Sequence, residues 1–513
     1  MYLTQGFHRS LQQTPDAVMT IYKNRARTFG EVGERVARLA GALQGIGVSP
    51  GDRVAILALN SDRYSELLLA VPWADAVLNP VNTRWSAAEI VFSLDDCQTA
   101  VLVVDDAFAS LVPALRSAHP GLKSVIYCGE GPTPDGMLDY ERLIAESDAV
   151  GDARRGGDAL AGLFYTGGTT GFPKGVMLSH ANLVTSALGA GASRALFRSG
   201  GTYLHVAPMF HLADFTGWNV QLLVGGTHVM VPSFDVRMLL EVIERNGVTG
   251  MTLVPAMIQA IVDDPATADF DLGSVETILY GASPISETLL KRAMAAFPSA
   301  GFTQAYGMTE LAGLATFLTP EDHAEGIRLR SAGRAIPHTE VKIIDSAGAE
   351  PGPGCVGEVV VRGGHVMQGY WNRPDETTAA IDAGWMRTGD AGYMDHAGYL
   401  YVVDRIKDMI VTGGENVYSA EVENALSSHP AVVECAVIGL PDERWGERVH
   451  GVVVLHADAE TTAQELRDHV KSLIAGYKAP RSFEFTPAIP RTAAGKILKR
   501  TLREEYLADV PRR

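Results

Sequence analysis

Residues 165–175, YTGGTTGFPKG, form the most unusual stretch of the chain. Four glycines, three threonines and one lysine fall within these eleven residues, directly before VMLSH. Backbone N–H groups, hydroxyls and one cation on a glycine-rich loop make a concave anion site, most often for phosphate. A solvated turn between two strands is the alternative. The spacing is not that of a Walker A loop, because no Gly-Lys-Ser/Thr triplet follows the first glycine at the required distance. The stretch therefore predicts a phosphate loop of another kind.

Composition limits what surrounds this loop. A chain of 513 residues is too long for one core and predicts two or more domains. The 46% hydrophobic and 20% charged residues are typical of globular proteins. A net charge of −17 argues against a nucleic-acid partner, which would need a basic face. It does not exclude an anionic substrate, because a local field can oppose the overall charge.

The four cysteines and the apolar segments indicate the compartment. Cys97, Cys128, Cys355 and Cys435 are scattered without metal-ligand spacing, which favours a reducing environment. The N-terminus lacks an apolar signal-peptide core. The run YSELLLAVPWADAVLNPV, residues 64–81, is interrupted by proline and aspartate and is too short to span a bilayer. We expect a soluble cytoplasmic protein without a transmembrane segment; its oligomeric state, a homodimer included, stays open.

Alternating helical and β-branched segments predict the fold class. Helical spacing in residues 28–47 is followed by strand-like DRVAILAL, TAVLVVDD and SVIYCG, a rhythm typical of parallel α/β layers. A second α/β block is expected from about Leu163 to Glu310. After about Ser331, short strands joined by glycine-rich turns indicate an antiparallel barrel or sandwich. The last hundred residues read as a separate α+β unit.

The sequence thus predicts a multi-domain α/β protein. Its large N-terminal domain, residues 1–404, contains two α/β subdomains and a β-barrel-like subdomain. A hinge at 405–408 precedes a small mobile α+β domain at 409–513.

Seven motifs, in order, carry a resemblance to a known family. They are YTGGTTGFPKGVMLSH from 165, APMFHL from 207, YGASP from 280, QAYGMTE from 304, RTGD from 387, DRIKDMIVTGGENVYSAEVE from 404 and PRTAAGKILKR from 490. Together they resemble the adenylate-forming superfamily of acyl-CoA synthetases, adenylation domains and luciferases, over nearly the whole chain. The residues of the later motifs are most similar to those of medium- and long-chain fatty acyl-CoA synthetases and their aryl-acid relatives.

The resemblance implies a two-step reaction that uses ATP, Mg²⁺ and coenzyme A. A carboxylic acid attacks the α-phosphate of ATP, giving acyl-AMP and pyrophosphate, and a thiol then displaces AMP. Because both partners in the first step are anions, the protein must neutralise and align them. The residues implied in nucleotide binding are Thr166, Gly167, Gly168, Thr169, Thr170, Gly171, Lys174, Gly281, Ala282, Ser283, Gln304, Ala305, Tyr306, Gly307, Thr309, Asp390, Arg405 and Lys496.

Individual roles follow from the same resemblance. The segment 166–174 would hold the β- and γ-phosphates, and Glu310 would hold Mg²⁺. Thr309 would contact the α-phosphate. Asp390, with Arg405, would accept the ribose hydroxyls. The 281–283 turn would lie against adenine, on which Tyr306 stacks.

Lys496 is implied as the residue that carries the first step, since an ammonium on a flexible stem can reach both the carboxylate and the α-phosphate. A lysine before a basic tail is more often a solvated charge, so only its motif favours the catalytic role. The terminal domain would rotate at Lys407 between the two steps. Coenzyme A is then expected to contact Gly413, Gly414, Arg444, Trp445 and Gly446.

His211 is expected at the mouth of the acyl site, as a gate or carboxylate-orienting group, although a lone histidine is more often a packed residue. Amino-acid-activating relatives place an aspartate here, so histidine argues against an amino-acid substrate. Asp214, Phe215 and Trp218 would line the acyl pocket. Asp214 is unusual in an apolar tunnel: it either faces away from the acid or recognises a polar group on it.

One departure from the family and four candidate functions remain to be weighed. Gly167 replaces a serine common in the family, so one hydroxyl contact to pyrophosphate is missing. The favoured function is an AMP-forming carboxylate–CoA ligase acting on a fatty or aryl acid. The alternatives are an adenylating enzyme that loads a carrier-protein thiol, a luciferase-like oxygenase, or a non-catalytic nucleotide-binding regulator.

Overall fold

The computed structural model describes residues 1–166, 173–193, 198–283, 285–413, 415–442, 444–457, 459–491 and 497–509. For residues 507–509 it describes the backbone alone. Its helices are α1 Gln5–Gln13, α2 Phe29–Gly45, α3 Asp62–Trp73, α4 Ala87–Asp96, α5 Val112–Ala118, α6 Tyr140–Glu146, α7 His180–Ala192, α8 Leu212–Val224, α9 Val236–Asn246, α10 Pro255–Asp263, α11 Glu287–Ala296, α12 Pro320–Glu325, α13 Pro374–Ala380, α14 Ser419–Ser427, α15 Ala463–Leu473 and α16 Lys499–Asp509.

The strands up to the end of the α/β layers are β1 Val18–Tyr22, β2 Arg25–Thr28, β3 Arg53–Leu57, β4 Val77–Pro80, β5 Val101–Val104, β6 Ser124–Tyr127, β7 Leu138–Asp139, β8 Leu160–Thr166, β9 Lys174–Ser179, β10 Thr202–His205, β11 Thr227–Met230, β12 Gly250–Leu253, β13 Thr277–Gly281, β14 Gly301–Tyr306, β15 Thr316–Leu318 and β16 Arg334–Ala335. Those that follow are β17 Thr339–Ile344, β18 Gly357–Gly363, β19 Gly369–Tyr370, β20 Ile381–Asp382, β21 Trp385–Met394, β22 Leu400–Arg405, β23 Ile410–Thr412, β24 Glu415–Val417, β25 Val432–Asp442, β26 Gly446–Leu455 and β27 Ser482–Phe485.

Two large sheets form the N-terminal layers. In the described residues, one sheet has nine strands in the order β16-β15-β14-β13-β12-β10-β11-β1-β2 and the other has eight in the order β19-β9-β8-β4-β3-β5-β6-β7. Within the groups β3 to β6 and β10 to β14, the paired strands are parallel to one another. The predicted helix–strand alternation and parallel sheets are confirmed.

The expected contiguous order of the two α/β blocks is wrong. β1 and β2, near the N-terminus, complete the nine-stranded sheet, whereas β8 and β9 belong to the eight-stranded one. The two blocks are therefore interleaved. The sequence did not predict this, because the composition of a strand indicates an extended segment but not the sheet edge with which it pairs. One consequence is that β8 and β9, which flank the predicted phosphate loop, pair antiparallel within the eight-stranded sheet.

Local sequence explains the individual elements. Thr28 and Glu31 form a reciprocal capping box that begins α2, and its residues Phe29, Val32 and Val36 face the core at helical spacing. The main core cluster joins residues of α2, α3 and α8 with strands of both large sheets. Trp218 on α8 donates to the Ser65 hydroxyl on α3 at 2.9 Å, which ties the two layers together.

Two smaller sheets follow. β17, β18, β20, β21 and β22 make an antiparallel five-stranded sheet, in line with the predicted barrel-like subdomain. In the last hundred residues, β23 to β27 form a mixed sheet with α14 and α15 on one side and α16 on the other. A small α+β C-terminal domain is thereby confirmed. No helix in the described ranges has the length and apolar character needed to cross a membrane.

Candidate active site

The carboxyl ends of β13 and β14 create the centre of the site. Gly281 and Ala305 are paired where these parallel strands end, at the edge of a sheet where ligands commonly bind. A Cβ on Gly281 would lie 2.2 Å from the Ala305 carbonyl oxygen, so no side chain fits there. Ala282 has φ of 67°, a strained conformation for a residue with a Cβ. The predicted adenine turn is thus a close, strained backbone path.

The other residues of the YGASP and QAYGMTE motifs lie beside the Gly281–Ala282 backbone. Gln304 is partly buried in β14, and its Oε1 accepts from the Tyr280 hydroxyl at 3.4 Å. Gly307 follows β14, and a Cβ there would lie 2.2 Å from the Gly313 carbonyl oxygen. Thr309 begins a short 3-10 helix and Ser283 follows β13, so both lie at the same sheet edge.

Tyr306 connects this edge to the antiparallel sheet. Its hydroxyl donates to Asp390 Oδ2 at 2.6 Å, while Arg405 Nε lies 2.7 Å from Asp390 Oδ1. Burial, and next the Asp390 carboxylate, raise the pKa of the Tyr306 hydroxyl, which therefore remains a donor. The structure brings these three predicted nucleotide residues together. It also shows that Tyr306 orients the carboxylate, a contact that the sequence did not predict.

Tyr370 lies between Glu310 and Lys174, the lysine of the predicted phosphate loop. Glu310 is buried, and its Oε1 accepts from the Tyr370 hydroxyl at 2.9 Å. Lys174 Nζ lies 5.2 Å from the centre of the Tyr370 ring. This arrangement is possible because the short strand β19 pairs with β9, placing Tyr370 opposite Val176. One aromatic ring thus separates the candidate magnesium carboxylate from the candidate phosphate lysine.

The phosphate loop is closed at its base by the pairing of Thr166 with Lys174. The Lys174 ammonium forms an ion pair with Glu376 at the start of α13. The other predicted loop residues, Gly167, Gly168, Thr169, Thr170 and Gly171, lie outside the described residues. The phosphate-binding role of this loop therefore stays a prediction, and Lys174 already has an anionic partner.

His211 is the N-cap of α8. Its Nδ1 accepts from the Ala213 backbone N–H at 3.2 Å, which satisfies a helix-terminal donor. In a neutral ring the proton is then on Nε2, so that nitrogen is a hydrogen-bond donor. Such a tautomer suits the predicted role of orienting a substrate carboxylate.

The other acyl-pocket candidates lie in the core. Phe215 packs on Phe164 with ring centres 5.4 Å apart, and Trp218 of α8 is fully buried against α3. Asp214 is also fully buried, and its Oδ2 lies 2.7 Å from Nδ1 of His205. Burial raises the pKa of the Asp214 carboxyl, and His205 opposes that shift. Their role in lining a pocket stays a prediction.

Contacts across the predicted hinge are polar. Asp404 at the end of β22 accepts from the Ser419 backbone N–H at 2.5 Å and from its hydroxyl at 2.6 Å. Between them, Lys407 lies in the short 3-10 helix Ile406–Asp408, and burial lowers the pKa of its ammonium. A cavity of about 380 Å³ adjoins the hinge, lined by Glu358, Arg387, Gly389, Arg405, Ile406 and Lys407.

The coenzyme A candidates form a second cluster. The Gly413 N–H donates to the Trp445 carbonyl at 2.8 Å, and a Cβ on Gly413 would lie 2.9 Å from the Trp445 ring. Arg444 and Arg481 lie over that ring, 4.8 and 4.0 Å from its centre. Gly446 pairs with Thr412 in the adjoining strand. Gly414 lies outside the described residues.

Lys496 also lies outside the described residues. On either side of its segment, Arg491 and Ile497 pair as an isolated antiparallel bridge, and Leu498 N–H donates to the Pro490 carbonyl at 2.8 Å. These contacts join the described residues on the two sides of the segment.

Sequence reasoning missed Tyr370, Glu376 and Arg481. The segment VMQGYWNRPDE, residues 366–376, precedes the RTGD motif and contains an aromatic residue followed by acids, which is a weak signal without its strand partner. Arg481 has no signal apart from its position after a proline.

The fold and this site define an adenylate-forming enzyme. The family model of AMP-binding enzymes matches residues 7–371, and that of the AMP-binding enzyme C-terminal domain matches residues 421–496. The chain therefore belongs to the AMP-binding enzyme family, as the seven motifs implied.

Similar proteins include ligases for several acids. The chain is 39% identical to feruloyl-CoA synthase of Amycolatopsis sp, over 97% of this chain and 98% of the relative. It is 36% identical to the fatty acid–[acyl-carrier-protein] ligase ScoC of Streptomyces coeruleorubidus, over 99% and 97%. It is similar to the structure of o-succinylbenzoate CoA synthetase from Bacillus subtilis in complex with an acyl-adenylate, with a TM-score of 0.85, 32% identity and 97% of each chain covered. The protein is an AMP-forming acid–thiol ligase.

Proposed function

We propose that the protein converts a carboxylic acid and ATP into an acyl-adenylate and transfers the acyl group to coenzyme A. The observation that carries this proposal is the convergence of Glu310, Lys174, Tyr306 and Asp390 at the ends of β13 and β14. These residues supply a carboxylate, a cation and a ribose acceptor around one backbone turn.

Neutralising the two anionic reactants is the main task in the first step. Lys174 and the backbone of its loop would bind the outer phosphates, leaving pyrophosphate as a stabilised leaving group. Glu310 fits Mg²⁺ because it is a single buried carboxylate, and Mg²⁺ usually takes one or two carboxylates with phosphate oxygens and water. Bound there, Mg²⁺ would neutralise charge on the phosphates.

Asp390 suits the ribose. Each of its oxygens already has one partner, Tyr306 or Arg405. A carboxylate offers about four lone-pair positions, so two sugar hydroxyls can still be accepted. Lys496 would then approach the carboxylate and the α-phosphate from the C-terminal domain, and rotation at Lys407 would exchange it for the thiol-binding face.

The second cluster favours coenzyme A as the acceptor. Trp445 with Arg444 and Arg481 offers an aromatic surface and two guanidinium groups, which suit a ring and phosphates. A carrier-protein thiol is the second candidate, because the relative ScoC is named as a ligase for that acceptor.

Pyrophosphate release with Mg²⁺-ATP and a panel of acids, with and without coenzyme A, tests the proposal. We expect acid-dependent release together with a coenzyme A thioester. Acyl-adenylate that yields a thioester only when an acyl-carrier protein is added would favour the second candidate. ATP binding without release for any acid would contradict both.

The ion pair between Lys174 and Glu376 leads to a first prediction. Glu376 competes with the nucleotide phosphates for the lysine, so Glu376→Gln should lower KM for ATP. Because a partly exposed pair contributes little, the change should be only ~2–5-fold. Steady-state pyrophosphate release at varied ATP measures it.

Asp375→Asn is the matched control, since Asp375 is the exposed neighbouring acid on the same helix. It removes the same charge without touching Lys174. An equal fall in KM in both variants would show a general charge effect and would refute the competition.

A further inference from the structure

Helix α8 covers one face of the nine-stranded sheet, on the side where the acid is expected. Side chains alternate between the faces of a strand. Leu204 on β10 and Met251 on β12 belong to the core cluster on the other side of the sheet, with α9. Tyr203 and Thr252, one residue earlier and one later, therefore face α8. His211 caps this helix at the strand ends, so an acid entering there would extend between α8 and these residues.

Tyr203 closes that space. It is fully buried, and its hydroxyl donates to Thr252 Oγ1 at 2.8 Å. A Cβ on Gly217 of α8 would lie 2.3 Å from the Tyr203 hydroxyl oxygen. The tyrosine thus reaches from β10 to β12 and touches the helix at its glycine. The buried Tyr203 ring thus fills the space between the helix and the sheet at the level of Gly217.

The depth of the closure follows from strand register. Thr252 pairs with Leu279, which lies two residues before the Gly281 turn. At a rise of ~3.3 Å per residue, the Tyr203 hydroxyl lies ~7 Å below the proposed adenylate site. That depth suits one aromatic ring or a short chain, and it is far less than an extended fatty acid requires.

Polar groups surround the closed end. The Tyr203 ring lies 4.7 Å from the ring of His205, which pairs with Asp214 and, through Nε2, with His228 Nδ1 at 2.9 Å. Within the described residues, Asp214 Oδ1, His228 Nε2 and the Tyr64 hydroxyl are buried without a hydrogen-bond partner. An unsatisfied buried polar group is costly, so a ligand with a hydroxyl would be favoured here over a methyl terminus.

We propose that Tyr203 is a specificity-determining residue that ends the acyl pocket. The enzyme then selects a compact acid with a hydrogen-bonding group at its far end, of the hydroxyarylpropenoic type, over an extended alkyl acid. This inference rests on the proposed acid-activating function and adds its substrate class.

The test measures thioester formation by the full-length enzyme with 4-hydroxycinnamate, cinnamate, octanoate and palmitate. For the unmodified protein, kcat/KM for 4-hydroxycinnamate should exceed that for palmitate by at least ~10-fold. Tyr203→Ala should shift this ratio toward the longer acids by at least ~10-fold. Tyr203→Phe, which keeps the ring, should retain the length limit and reduce the preference for 4-hydroxycinnamate over cinnamate.

Leu204→Ala is the matched control, because it truncates the next residue of the same strand on the opposite face. It loosens the same sheet and should leave the ratio unchanged. If Tyr203→Ala does not fold, Tyr203→Leu provides the length test with a smaller loss of volume.

Efficient use of palmitate by the unmodified enzyme would overturn the inference while supporting the ligase function. An unchanged ratio in Tyr203→Ala and Tyr203→Leu would also overturn it. Absence of both adenylate and thioester with every acid would instead refute the proposed function, and the inference with it.

Discussion

Replacing Asp390 with asparagine should lower kcat/KM for ATP by ~10²–10³-fold. The carboxylate pairs with Arg405 at 2.7 Å and accepts from Tyr306 at 2.6 Å while it is buried. An amide has one acceptor oxygen and an NH₂ group, so only one of the two donors can keep its acceptor, and the Tyr306 hydroxyl would have to turn and accept instead. The partly exposed Arg405 guanidinium would also lose its counter-charge. The ribose hydroxyls would therefore meet a site with no negative charge and one acceptor oxygen fewer.

Kinetics of pyrophosphate release at varied ATP measures this effect, with thermal unfolding of each variant as a check of the fold. Asp395→Asn is the matched control, since Asp395 lies at the end of the same strand pair and pairs with Arg328 at 3.3 Å. It should change kcat/KM by less than ~3-fold, because the pair is away from the site. An Asp390→Asn enzyme with an unchanged KM for ATP would show that Asp390 does not bind the nucleotide.

Tyr306→Phe separates orientation from charge at the same carboxylate. It removes the one donor to Asp390 Oδ2 and leaves the Arg405 pair in place. We expect kcat/KM for ATP to fall less than in Asp390→Asn, because only one hydrogen bond to the carboxylate is lost. That result would identify Tyr306 as a positioning residue for Asp390.

The sequence predicted most strands and helices because each has a local signature. β3 is a short apolar run, and α2 has both helical spacing and a capping box. The interleaving of the sheets has no such signature. β1 pairs with β11, about 200 residues later, and this partnership depends on which sheet edge remains open after the other strands have paired.

The same distinction explains which site residues were predicted. Glu310, Asp390 and Arg405 stand in motifs, so their types and spacing could be compared with a family. Tyr370 and Tyr203 act through partners that are 60 and 49 residues away, Glu310 and Thr252. Their importance follows from strand register, which places a phenol beside a carboxylate or across a helix glycine. A single sequence does not contain that register.

Asp214 is a residue whose role the residue type leaves open. The sequence allowed it to face away from the acid or to recognise a polar group. In the structure one oxygen is bonded to His205 and the other is buried without a partner in the described part of the chain. One carboxyl oxygen is thus held in the core by His205, and whether the other meets a polar group of the acid stays a prediction.

Replacing Glu310 with glutamine should reduce the rate of acyl-adenylate formation by ~10²–10³-fold, the loss typical of removing one group that stabilises transition-state charge. The substitution keeps the shape but removes the buried negative charge proposed to hold Mg²⁺. The Tyr370 hydroxyl, which donates to Oε1 at 2.9 Å, can still donate to the amide oxygen. The fold at the strand ends should therefore survive while metal binding fails.

The measurement that isolates this role is the Mg²⁺ dependence of pyrophosphate release. In Glu310→Gln the half-saturating Mg²⁺ concentration should rise by at least ~10-fold, whereas Asp390→Asn should leave it unchanged because the ribose is remote from the metal. Tyr370→Phe should produce an intermediate rise, since the carboxylate keeps its charge but loses the donor that orients it. If Glu310→Gln slows the reaction without changing the Mg²⁺ requirement, Glu310 does not hold the metal. The carboxylate would then contribute to the reaction in another way, and other groups would bind Mg²⁺.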